Sequence, residues 1–232
     1  MWDVDQTLVH APGVSREAYA LAFAEVTHRP YEEHLIPLAG RTDLAIALDV
    51  FRANGIDSPD EYLKEFFARY AAHFHAVAHT LPLRGEVLVG APAVMAALAG
   101  QDGVVQTLVT GNIADVARDK VTAFNLHRYL DLAIGGYGSD HRMREVLVRC
   151  CLERAAARYG QPFDRSLAMV IGDTTADVRA ALAAGVVAIG VASGTTSIVD
   201  LRTAGAHAVL PDLSDIDAAV HLLSTFRLNE AG

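Results

Sequence analysis

Asp3-Val4-Asp5-Gln6-Thr7-Leu8 is the stretch on which the reading of this chain turns. Two carboxylates stand two residues apart, followed by a hydroxyl and an apolar residue. If residues 1–5 form a strand, its alternation puts Asp3 and Asp5 on one face. Like charges that close push their protonation states apart. A cation resolves the conflict, as does a division of labour in which one carboxylate attacks and the other handles a proton. In isolation the stretch also reads as an ordinary acidic turn, so its meaning depends on matching segments downstream. Only Met1 and Trp2 precede Asp3; the strand is therefore short, or the natural chain starts earlier.

Working outward, residues 8–13 read as a turn leaving the strand. Residues 14–80 then carry helical patterns and no strand pattern. Ser15 is placed to cap a first helix through Ala18, Leu21, Ala22 and Val26. Thr42 caps a second with Leu44, Ala47, Leu48 and Phe51 inward. Ser58-Pro59-Asp60-Glu61 reads as a capping box opening a third, with Leu63, Phe66, Phe67, Tyr70 and Phe74. From Leu81 the pattern changes. Strands are expected at 103–109, 132–134, 167–171, 186–191 and 208–210. They alternate with helices starting near 91, 112, 140, 176, 198 and 214. Such alternation means βαβ units: an α/β fold with a Rossmann-like parallel sheet and helices on both faces. Residues 1–13 and 81–232 would form this core, with 14–80 an inserted helical domain.

Composition narrows the classes of partner. Of 232 residues, 52% are apolar and 20% charged, enough for a sizeable core. A net charge of -9 argues against broad binding to nucleic acid or anionic membranes, both of which need a basic face. A phosphorylated metabolite is compatible where positive charge is local. Cys150 and Cys151 are adjacent and cannot staple distant segments, which fits a reducing compartment. With no signal peptide and no apolar run long enough to span a bilayer, a soluble cytoplasmic protein is expected.

Ligands of an open parallel sheet bind beyond the carboxyl ends of its strands. After the first strand come Asp3, Asp5 and Thr7. After Leu108-Val109 comes Thr110-Gly111-Asn112, a hydroxyl and a glycine at a helix N-terminus, which suits a phosphoryl group. After Val170-Ile171 comes Gly172-Asp173-Thr174-Thr175-Ala176-Asp177, whose two acids lie one helical turn apart. Each reads singly as a cap or a turn. Together they supply hard oxygen ligands with few histidines, which points to Mg²⁺ rather than zinc. His73, His75 and His79 read as an exposed helix face.

In order and spacing these three segments resemble motifs one, two and four of the haloacid dehalogenase-like superfamily, and the likeness spans essentially the whole chain. The helical insertion is similar to that superfamily's small α-helical cap, and Gly40-Arg41-Thr42-Asp43 resembles a turn found there. The resemblance implies Asp3 as nucleophile, forming an aspartyl-phosphate, and Asp5 as the acid and base. It implies Mg²⁺ on the Asp3 carboxylate, the Asp5 carbonyl and Asp173, with Asp177 beside it. Thr110, Gly111 and Asn112 would hold the phosphoryl oxygens. The motif-three cation is assigned to Arg144, with Arg142 as competitor; Lys120 is expected too far from the strand ends. Arg41 is a candidate substrate contact from the cap. Gln6 stands where the family usually has glycine.

The implied reaction is hydrolysis of a small phosphomonoester, such as phosphoglycolate or a sugar phosphate, by a phosphoglycolate phosphatase-like enzyme. An acid at position 5 separates it from dehalogenating relatives, whose halide leaving group needs no proton. The alternatives are a phosphomutase of the β-phosphoglucomutase type and a catalytically silent binding protein of the same fold.

Overall fold

In the computed structural model residues 1–32, 36 and 38–226 are described. The parts of the two expected domains at 33–35, 37 and 227–232 lie outside them. The sheet is held together by the chain's first residues. Trp2 N–H donates to Thr107 O and Val109 N–H to Trp2 O, while Asp3 N–H donates to Ile171 O. Trp2 thereby bridges in parallel to Leu108 on one side and Ile171 on the other. It joins β3 (Val109–Thr110) and β4 (Gly136–Tyr137) to the three-stranded sheet of β5 (Met169–Gly172), β6 (Val187–Val191) and β7 (Ala208–Leu210). All these pairings are parallel.

Alternation along the strands makes two cores. Trp2, Leu108, Ile171, Val187, Ile189 and Val191 face α5 (Ala91–Ala99), α6 (Ala114–Ala123) and α10 (Ile216–Thr225). Val109, Val170 and Ala188 face α7 (Arg144–Tyr159), α8 (Thr175–Ala184) and α9 (Ile198–Thr203). Cys151 is a buried member of this second core and Cys150 is half-buried, both unpaired. A third cluster lies among α1 (Val14–Thr27), α2 (Asp43–Ala53) and α3 (Asp60–Val77). There Tyr19, Phe23, Phe51 and Phe66 meet edge to face, with centroids 4.7–5.1 Å apart. The cluster also takes in Ile113 and Val116 of α6, so the helical layer is welded to the sheet. Short antiparallel strands β1 (Val9–His10) and β2 (Glu86–Val87) pair where the chain leaves and re-enters the sheet. The short helix α4 (Leu81–Arg84) precedes β2.

Several local expectations change. Residues 132–134 form a 3₁₀ turn, because Asp131 accepts from the Ala133 N–H and diverts the backbone from the ladder. The strand starts two residues later, at Gly136, where a Cβ would meet Leu147 O at 2.1 Å. The helix expected from Asp140 begins at Arg144, since Asp140 accepts from Tyr137 N–H and is gripped by Arg154. Ser15 lies inside α1, whose N-cap is Gly13 at φ 82. Ser58 makes no side-chain cap; Pro59 takes that position on α3. Thr42 does cap α2, accepting from Ala45 N–H.

Candidate active site

Asp3 directly follows Trp2, the residue whose parallel bridges join the two parts of the sheet, and is 6% exposed. Arg144, the first residue of α7 and itself buried, places Nη2 2.8 Å from Asp3 Oδ1 and 2.5 Å from Asp177 Oδ1. Burial opposes its charge, but Asp177 and Asp3 outweigh burial and hold the guanidinium's pKa above its ordinary value. Arg142 is exposed, and its carbonyl accepts from Thr42 Oγ1. Of the two arginines weighed from sequence, only Arg144 meets the carboxylates.

Asp173 follows β5 and accepts from Thr7 Oγ1 at 3.3 Å. A Cβ on Gly194 would stand 2.0 Å from Asp173 Oδ2, so glycine there is what lets the carboxylate in. Asp177 sits one turn into α8, where it forms a capping box with Thr174. Its Oδ2 accepts from the Thr174 N–H and hydroxyl at 3.1 and 2.6 Å. Both Asp177 oxygens are thus engaged, one by the cap and one by Arg144. Oxygens of Asp3, Asp173 and Asp177 lie within 4.8 Å of one another, all three residues buried.

One guanidinium does not neutralise three buried carboxylates. Burial, then Asp3 and Asp177, push Asp173 from 3.8 up to about 8. Asp3 is raised by burial and by Asp177 and Asp5, against the pull of Arg144. A set of hard, crowded carboxylate oxygens short of positive charge fits a divalent cation of the Mg²⁺ type.

Asp5 corrects one expectation. Lys120, two turns into α6, was expected too far from the strand ends. Its Nζ lies 2.7 and 2.8 Å from the two Asp5 oxygens and 2.8 Å from Asn112 Oδ1. Helical side chains tilt towards the N-terminus, so the long lysine stem runs back up α6 to the site. The Asn112 amide donates to Asp5 Oδ2 at 2.7 Å and to Thr110 Oγ1 at 2.9 Å. The Asp5 side chain is 45% exposed, open to the cleft on one side. Protein on the others would raise its pKa, but the charge and hydrogen bonds of Lys120, with Asn112, bring it below its ordinary value. Asn112 therefore serves Asp5, while the Thr110 hydroxyl lies buried beneath it.

The turn before α2 rests on these loops. Asp43 N–H donates to Gly111 O at 2.7 Å and Leu44 N–H to Gly138 O at 3.1 Å. Gly111 has no room for a Cβ, which would lie 2.1 Å from Arg41 O. The Arg41 guanidinium turns back along α2 to Asp49, 2.5 Å away. Asp43 reaches inward instead, Oδ2 accepting from the Ile113 N–H at 2.8 Å. Burial raises its pKa from 3.8 to about 6. Sequence reading set Lys120 aside as too distant and missed Asp43 and the 193–194 loop, where Ser193 Oγ donates to Gln6 O at 2.5 Å. The one available signal was scarcity, Lys120 being one of two lysines in the chain. His73 and His75 pair at the surface with Glu25 and Asp119.

Comparison with known proteins agrees with this geometry. A family model described as HAD-hydrolase-like matches residues 147–216. The chain is similar to a Dickeya dadantii protein named "Probable phosphatase IndB", 27% identical over 96% of this chain and 93% of that one. Among solved structures it resembles a hydrolase from Pseudomonas syringae (TM-score 0.64, 22% identity, 97% of each chain). A predicted phosphatase from Clostridium acetobutylicum gives TM-score 0.67 at 18% identity, over 95% of this chain and 96% of that one. At those identities the structural likeness carries the fold alone. With motifs one, two and four converging on one cleft of that fold, the chain is similar to the haloacid dehalogenase-like hydrolases in sequence over residues 147–216 and in fold over nearly its whole length.

Proposed function

We propose that this chain is a Mg²⁺-dependent phosphatase acting on a small phosphomonoester through an aspartyl-phosphate. The observation that carries the reading is the pairing of two differently treated carboxylates at one strand end. Asp3 is buried against Arg144 and beside Asp173; Asp5 faces the cleft and is held by Lys120 and Asn112. Environments that separate two carboxylates assign them separate tasks. The name of the Dickeya dadantii relative supports the same class of reaction.

An Asp3 carboxylate oxygen attacks phosphorus while the bond to the leaving oxygen breaks; Asp5, ionised in the free site, takes a proton from the monoanionic phosphoryl group as substrate binds and gives it to the leaving oxygen. The leaving alcohol departs and Asp5 is left ionised. Water then attacks the phosphoryl group, Asp5 takes the water's proton, and the bond to Asp3 breaks to release inorganic phosphate. Arg144 offsets charge on Asp3 and the phosphoryl oxygens, and Asp177 orients Arg144. The Thr110–Asn112 turn borders the phosphoryl site. Asp3 and Asp173, with the Asp5 carbonyl, would hold Mg²⁺, which supplies positive charge against the phosphoryl oxygens. The helical layer of residues 14–80 would act as a cap that limits substrate size and excludes water.

The test is phosphate release from a panel of aryl and alkyl phosphomonoesters, with Mg²⁺ or with chelator. Expected are turnover that chelation removes, none with Asp3→Asn, and a loss of about 10²–10⁴-fold on alkyl esters with Asp5→Asn. Turnover undiminished in Asp3→Asn would overturn the reading. Phosphate shifted within a sugar phosphate without net release would make the protein a mutase. Substrate binding without turnover would make it a binding protein.

A further inference from the structure

Lys120 is buried, 2% exposed, on the inner face of α6, an uncommon position for a lysine. Its ammonium carries three contacts at 2.7–2.8 Å, two to Asp5 and one to Asn112. Asn112 closes the ring by donating to Asp5 Oδ2. The Phe74 ring of α3 lies 5.9 Å below the ammonium, so the lysine is also backed by the helical layer. Among the described residues, the donors on the Asp5 carboxylate thus come from one side, the α6 side, and the side chain is otherwise open to the cleft. Arg144 meanwhile serves Asp3 and Asp177. Two cations divide between two carboxylates.

We propose that Lys120 is a positioning residue for Asp5: with Asn112 it fixes the direction in which the carboxylate faces the leaving group. The inference rests on the phosphatase reading for its chemical consequence, and on geometry alone for its structural one. A carboxylate held at both oxygens cannot rotate about its last bond. Without Lys120 only the Asn112 amide remains, on one oxygen, and Asp5 is free to swing towards solvent. Phosphoryl transfer to Asp3 from a substrate with a poor leaving group then suffers, because its proton donor is out of place. Transfer from a substrate whose leaving group departs without a proton does not. The distinction appears in kcat/KM, which reports steps up to formation of the aspartyl-phosphate.

The experiment compares the wild-type protein with Lys120→Met, which keeps the length of the stem and removes the ammonium. Crystal structures of both give the position of Asp5, and kcat/KM is measured on p-nitrophenyl phosphate and on an alkyl phosphate. In Lys120→Met the Asp5 carboxylate is expected to leave its place beside Asn112. With it, kcat/KM on the alkyl ester falls about 100-fold and on the aryl ester less than about threefold. Lys120→Gln, which retains one N–H for Asp5, falls between. An Asp5 unmoved in Lys120→Met overturns the proposal whatever the activities. So does an equal loss on both substrates, the mark of a lysine that only supports the fold. If the wild-type protein releases no phosphate at all, the phosphatase reading falls, and the crystallographic comparison still decides whether Lys120 positions Asp5.

Discussion

Asp43 holds a carboxyl group where ionisation is costly: burial lifts its pKa from 3.8 to about 6, against the pull of the Ile113 N–H and Lys120. Between those values the unfolded chain releases the proton and the folded one retains it. The unfolded state therefore binds fewer protons, and Asp43 costs stability progressively as pH rises from 4 to 6. Discounted for its partial exposure, the cost at pH 8 is about 1–2 kcal/mol. Asp43→Asn keeps an acceptor for Ile113 and should be more stable than wild type by about that amount at pH 8. The gap should close by pH 4, measured as urea midpoints at the two pH values. Gln6 illustrates a second residue-scale constraint. Its φ is 61, in the left-handed region that glycine enters freely and side-chain-bearing residues rarely do. The side chain meets His10, and the carbonyl accepts from Ser193.

At the scale of elements, the site is assembled by close backbone approach between loops. A Cβ on Gly138 would stand 1.7 Å from Gly111 O and 2.9 Å from Asp43 N. The turn after β4, the turn after β3 and the N-terminus of α2 meet at that point. Neither contact is with a flexible side chain, so Gly138→Ala must part the loops. A loss of about 3 kcal/mol is expected, at the upper end for overpacking, read from denaturant midpoints. Turnover should fall with it, since the same carbonyls seat α2 on the Thr110–Asn112 turn. The capping box of α8 is a second such device, because Asp177 at once satisfies the Thr174 N–H and anchors Arg144.

Across the whole molecule, the aromatic cluster of α1–α3 is continuous with α6 through Ile113 and Val116. A layer so joined is not expected to melt by itself. Phe66, fully buried and in contact with Tyr19, Phe51 and Tyr70, is the natural probe. Phe66→Ala should cost about 3–5 kcal/mol. Trp2, the sole tryptophan, lies in the opposite core, against the sheet. Its fluorescence and far-UV circular dichroism should give one coincident urea transition in both proteins, shifted to lower urea in the variant. A fluorescence midpoint unmoved by Phe66→Ala would mean that the helical layer unfolds independently. Among the described residues no helix is long and apolar enough to cross a membrane.

Much of this was legible in the chain itself. The alternation of apolar runs and helical periods specified an α/β architecture, because period-2 and period-3.6 burial are properties of consecutive residues. The positions of Asp3, Asp5, Thr110 and Asp173 after apolar runs followed from where strands end. Strand extents did not follow: residues 132–134 had the apolar content of a strand, yet the Asp131 side chain turned them into a 3₁₀ turn. Nor did the partners. Lys120 is 115 residues from Asp5, Thr7 is 166 from Asp173, and Thr42 is 100 from Arg142. Such contacts are set by how a helix rotates on its sheet and how far a side chain reaches back along it. Local sequence encodes neither, so only the folded chain decided which cation stands by which carboxylate.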